Sequence, residues 1–172
     1  DRAGLKMANL SEETLERLAE VTPRGAQLGN PVDMLGGPQA EMYETAGSVL
    51  LEDPNVDMLM AIFVPQAITP VMDVAKHVVA AATTAEKPVI CCLVGGESIT
   101  EATTYLNRHG IPLYDDPNRA ALALGGLWTY RQLRHRPDIT PTPVGDVDEE
   151  RARRLLQDAW ATGGEGFLDA ET

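Results

Sequence analysis

Asn55-Val56-Asp57-Met58-Leu59-Met60-Ala61-Ile62-Phe63-Val64-Pro65-Gln66-Ala67-Ile68-Thr69-Pro70-Val71-Met72-Asp73 decides the fold. Its first half, from Asp57 to Val64, is a nearly unbroken apolar run of strand length. Such a run is expected where a strand is covered on both faces. Pro65 to Ile68 break it. Thr69 is then a candidate N-cap and Pro70 suits the first helical position. A helix that starts just past the carboxyl end of a central parallel strand is where α/β proteins receive phosphate and carboxylate groups. A plain strand-to-helix junction has the same appearance, so these residues alone nominate a site without assigning one.

The same pattern recurs on both sides. Upstream, Ser11-Glu12-Glu13 opens a helix with a cap and two acids at its positive end, and Leu15, Leu18 and Val21 form its apolar stripe. Gly29 to Gly37 is irregular, with Asn30 held extended by Pro31 and Asp33 followed by a Gly pair. Gln39 to Glu52 reads as a second helix. Downstream, Pro70 to Thr84 is a helix with Val71, Val74, Ala75, Val78 and Ala82 turned inward. Val89 to Val94 is a second buried strand, ending at Gly95-Gly96-Glu97. Ser98 and Glu101 form a capping box for the next helix, which His109-Gly110 closes. Ile111 to Tyr114 is a third strand, and Pro117 to about Leu133 a long helix in which Gly125-Gly126 suggests close packing. The alternation predicts an α/β domain with a flavodoxin-like, three-layer parallel sheet. Three strands are few, so a first strand is expected before Asp1, and Leu28 to Met34 is a candidate for one more.

The chain has 172 residues and a net charge of −12, enough for one domain with a sizeable core. Acidity argues against nucleic acid or an anionic membrane surface as partners, and no stretch has the length of an apolar span. Cys91 and Cys92, the only cysteines, are adjacent in a strand and point to opposite faces. They read as two buried thiols in a reducing, cytoplasmic setting. Pro137 to Pro143 is an extended linker. The expected organisation is therefore a domain over 1–136, a Pro-rich linker over 137–145, and a helix with its tail over 146–172, with Asp146 and Glu149 as the helix's box. Asp1 stands where Met would open a complete chain, so a fragment is expected.

No complete catalytic constellation is visible, neither a P-loop nor a nucleophile elbow, and no His, Cys and carboxylate residues have metal-ligand spacing. His77 is expected to be solvated and His109 to serve the end of its helix. The acid pairs Glu12-Glu13, Asp115-Asp116 and Glu149-Glu150 sit where helices start.

A set of short motifs adds a family likeness. Asn30-Pro31-Val32-Asp33, Asp53-Pro54-Asn55-Val56-Asp57, Val64-Pro65-Gln66-Ala67-Ile68-Thr69, Lys87-Pro88-Val89, Gly95-Gly96 and Gly110-Ile111-Pro112 occur in this order. Together they resemble the nucleoside-diphosphate-forming acyl-CoA synthetases, which include ADP-forming acetate–CoA ligase and are relatives of succinyl-CoA synthetase. The likeness runs from about Gly4 to Leu133. It implies a ligase domain that helps hold the phosphate of a phosphohistidine carried elsewhere, in a reaction interconverting acyl-CoA, ADP and phosphate with acid, CoA and ATP. By position, the phosphate-facing turn is Pro65, Gln66, Ala67, Ile68 and Thr69, bordered by Asn30, Asp33, Gly95, Gly96 and Glu97. No catalytic residue and no metal ligand is expected in this chain.

Two departures accompany the likeness. None of His77, His109 and His135 lies in the family's Ser-His-Thr-Gly-like stretch, and the Gly-rich loop after the unit's first strand is missing. The chain is thus expected to be an internal piece, inactive alone. It would partner the CoA-binding and phosphohistidine domains and an ATP-grasp domain downstream of Thr172, in an enzyme using ATP or ADP, Mg and CoA on a small acyl-CoA substrate, with oligomerisation open. Two other readings stay open. One is a ligase-like sensor domain fused to a lysine acetyltransferase. The other is a non-catalytic interaction module pairing through Leu28 to Gly37.

Overall fold

The computed structural model describes residues 3–35, 39–65, 69–95, 99–137, 145 and 148–161. Helices α1 (Glu12–Val21) and α2 (Glu41–Glu52) come first. Strand β1 (Leu59–Phe63), helix α3 (Val71–Thr83), strand β2 (Val89–Leu93), helix α4 (Thr100–Arg108), strand β3 (Leu113–Tyr114), helix α5 (Pro117–Arg134) and helix α6 (Glu149–Ala161) come after them. Residues 1–135 form one compact unit and residues 136–172 another.

In the first unit the strands make a parallel sheet in the order β1-β2-β3. Leu59 pairs with Val89 and Phe63 with Leu93; Cys91 pairs with Leu113 and Cys92 with Tyr114. Alternation sends the two halves of each apolar run to opposite faces. Phe63, Val89, Cys91 and Leu93 meet Val74, Ala75 and Val78 of α3 and Ala102 and Leu106 of α4. On the other face Met60, Ile90 and Tyr114 meet Ala120 and Leu124 of α5, with Leu5 beside them. Helices lie on both faces of the sheet and bury β2 throughout; β1, expected to be central, is instead at the edge of the described sheet and leaves Ile62 51% exposed. Outside α2, a smaller cluster joins Leu18 of α1 to Ala46 and Val49, capped by Leu28, Val32 and Met34. Cys91 and Cys92 are both buried and free. Burial pushes the Cys91 thiol up to about 12, and burial raises that of Cys92 as well.

Local chemistry fixes the helix ends. Ser11 caps α1 by accepting from the Thr14 N–H, and Asp116 caps α5 by accepting from the N–H groups of Asn118 and Arg119. The acid at Asp116 is structural, as its place before Pro117 suggests. Gly110 closes α4 with φ +75°, and His109 holds the Tyr105 carbonyl through Nδ1 at 2.8 Å. Gly125 is forced by packing, because a Cβ there would run into the Ala3 backbone.

Several expectations are corrected. Leu28 to Met34 adds no strand. Its only ladder element is an isolated antiparallel bridge between Gln27 and Asp33, around a turn with a cis Asn30-Pro31 bond. Helix α3 starts one residue later than Thr69 and Pro70 imply. Pro70 has an extended ψ of 129° and is itself the N-cap, its carbonyl accepting from Asp73 and Val74 at 3.1 and 3.2 Å. For α4 the N-cap is Ile99; Ser98 lies outside the described residues. For α6 Asp148 does the capping, accepting from the Arg151 N–H at 2.9 Å; Asp146 lies outside the described residues. In the second unit α6 buries none of its residues and leaves Trp160 86% exposed.

Candidate functional site

The carboxyl ends of β1 and β2 lie side by side, and the geometry there is tight. A Cβ placed on Gly95 would stand 2.6 Å from the Pro65 Cγ and 2.9 Å from the Ile99 Cγ2. Only a residue without a side chain lets the exit of β2 pass between the exit of β1 and the start of α4. Pro65 and Gly95, nominated separately from sequence, are thus brought together. Thr69 is buried at the entry to α3, 4% exposed. Gln66, Ala67, Ile68, Gly96 and Glu97 lie outside the described residues.

Helices α3 and α4 start from these two strand exits, and their N-cap residues, Pro70 and Ile99, carry no polar side chain of their own. Ala40 before α2 likewise gives no side-chain cap, whereas α1 and α5 are capped by Ser11 and Asp116. Each helix start brings N–H groups and the positive end of a dipole to the same end of the sheet. The arrangement suits an anion. The acid in the first turn of α3, Asp73, is paired with Lys76 at 3.1 Å.

Asn30 and Asp33 are placed differently. The Asn30 amide donates to the Ala8 carbonyl at 3.1 Å, and an Asp33 carboxylate oxygen accepts from the Leu35 N–H at 2.9 Å. Backbone bonds between Gln27 and Asp33 close the same turn. Both polar side chains serve the corner between α1 and α2.

Other polar groups were missed in sequence. His77 is not simply solvated: its Nδ1 lies 2.6 Å from the Glu44 Oε2, tying α3 to α2. The partners are 33 residues apart, so local spacing carries no sign of them. Tyr43 beside Glu44 packs edge-on against Phe63 at 5.6 Å, and burial pushes its hydroxyl up to about 12. A cleft of ≈ 350 Å³ lined by Lys87, Pro88, His109, Pro112 and Leu127 lies where strands β2 and β3 begin, away from the converging exits. Its Lys87 ammonium is engaged by the Asp53 carbonyl at 2.6 Å. Among the described residues no group of three or more His, Cys, Asp or Glu side chains is placed to hold a metal, and no helix is long and apolar enough to cross a membrane.

Residues 2–137 match the ligase-CoA domain. The chain belongs to the ligase-CoA domain family. An ADP-forming acetate–CoA ligase I from Archaeoglobus fulgidus is 34% identical over 164 residues, covering 95% of this chain and 23% of the relative. The alpha subunit of ADP-forming acetate–CoA ligase II from Pyrococcus furiosus is 38% identical over 132 residues, 74% of this chain and 29% of that one. Among solved structures, a dinucleotide-forming acetyl-coenzyme A synthetase 1 from Ca. Korarchaeum cryptofilum, in complex with phosphate and ADP, superposes with a TM-score of 0.71 at 30% identity. It covers 77% of this chain and 29% of that one. The ligase-CoA domain thus spans under a third of each of these relatives.

Proposed function

We propose that this ligase-CoA domain works within an ADP-forming acyl-CoA synthetase, in the reaction acyl-CoA + ADP + phosphate = acid + CoA + ATP. The likeness to an ADP-forming acetate–CoA ligase across 95% of the chain carries this reading. Within it, the exits of β1 and β2 hold the phosphate of a phosphohistidine carried on a domain outside this chain. Two helix starts at neighbouring strand exits support that role, because helix N–H groups and the positive ends of dipoles suit an anion. Pro65, Gly95 and the buried Thr69 frame the turn, and Gln66, Ala67 and Ile68 supply its backbone. Asn30, Asp33, Gly96 and Glu97 border it.

ATP or ADP, Mg and CoA belong to the complete enzyme. This chain's part is to bind and orient a phosphate. Residues 137–145 act as the linker, and residues 146–172 lead towards the ATP-grasp domain. The two buried thiols fit a reducing, cytoplasmic compartment.

The test is made on the complete open reading frame. ATP formation from ADP, phosphate and a panel of acyl-CoA thioesters is measured beside an acid-labile, base-stable phosphoprotein. Both are expected, and the panel names the acyl class. A Gln66 substitution, or a bulky residue at Ala67, lowers phosphoprotein formation while the fold persists. A folded protein that gives neither ATP nor phosphoprotein removes the synthetase reading. Unchanged phosphorylation and turnover in the turn variants removes the role of the turn alone.

A further inference from the structure

We draw no further inference here: the strongest candidate, the cleft of ≈ 350 Å³ where strands β2 and β3 begin, has its Lys87 ammonium already engaged by the Asp53 carbonyl, and nothing in the structure shows which ligand, or which part of the chain, covers its apolar walls.

Discussion

Asp53→Ala tests whether one buried carboxylate ties the first helix to the sheet. Asp53 is 1% exposed. It accepts from the Ser11 N–H at 2.8 Å and from the Asn55 N–H at 2.8 Å. Burial raises its pKa, but the Ser11 and Asn55 N–H groups and the Thr14 and Ser11 hydroxyls outweigh this and hold the carboxyl below its ordinary value. Ser11 is the N-cap of α1, so the anchor and the cap act together. Truncation to alanine leaves the Ser11 and Asn55 N–H groups without this acceptor and takes it from the Thr14 and Ser11 hydroxyls as well. Each such N–H costs about 1–3 kcal/mol when buried. Both N–H groups lie nearer the surface than the carboxylate, so the expected loss is about 2–4 kcal/mol in total. Urea unfolding of the 172-residue chain measures it as a lowered midpoint at unchanged slope. The acid limb gives a second readout. A depressed folded pKa means that the unfolded state binds the proton more readily. The stabilisation is therefore present above the ordinary carboxylate pKa near 3.8 and lost as pH falls through the lower, folded value. Asp53→Asn keeps the size and removes the titration, so its stability should no longer carry this acid-range loss. A loss below about 1 kcal/mol in Asp53→Ala, or an unchanged acid limb in Asp53→Asn, would refute the anchor.

Three other substitutions probe the packing. Gly95→Ala pushes a methyl against the Pro65 and Ile99 side chains; overpacking predicts a loss of about 1–3 kcal/mol in thermal or urea unfolding, and wild-type stability would mean that the strand exits are looser than those contacts imply. Gly125→Ala and Gly126→Ala form a contrasting pair. The first destabilises the chain because of the Ala3 backbone, and the second stabilises it by about 1 kcal/mol through helix propensity, both read from the urea midpoint. Leu35 has a left-handed φ of 65°, so Leu35→Gly should gain about 1 kcal/mol by relief of that strain, less the contribution of its half-exposed side chain. Calorimetry of the variant beside the wild type decides it, and a drop in Tm would show that the Leu35 side chain matters more than its backbone.

The features legible in sequence were those that local physics writes. The apolar run at Val89 to Leu93 is too uniform for a surface strand and is buried throughout, whereas the similar run at Leu59 to Phe63 buries only Phe63 and leaves Ile62 exposed, because β1 stands at the edge of the described sheet. Ser11 and Asp116 stand where a cap is needed. Gly125 in a helix interior signals close approach, though not that Ala3 is the group approaching. Asp53 was visible only as the head of the Asp53-Pro54-Asn55-Val56-Asp57 motif. Its second partner, Ser11, lies 42 residues away, and the Glu44 that meets His77 is likewise on another helix. Contacts made across the chain leave no local period, so these residues read as surface polar groups.

The same limit separates the two halves of the candidate site. Pro65 and Gly95 each come just after an apolar strand, and parallel pairing of Phe63 with Leu93 must bring the two strand exits together. Their juxtaposition is thus a consequence of register. Asn30 and Asp33 lie beyond no strand. Whether they reach the same place depends on how the corner between α1 and α2 folds, and there their side chains bond to Ala8 and Leu35. Those bonds hold both side chains in the corner, and the Asp33 carboxylate, an acceptor only, offers no donor to an anion. Within the proposed phosphate-holding role, the helix starts at Pro70 and Ile99 carry the anion, and Asn30 and Asp33 shape the surface next to it.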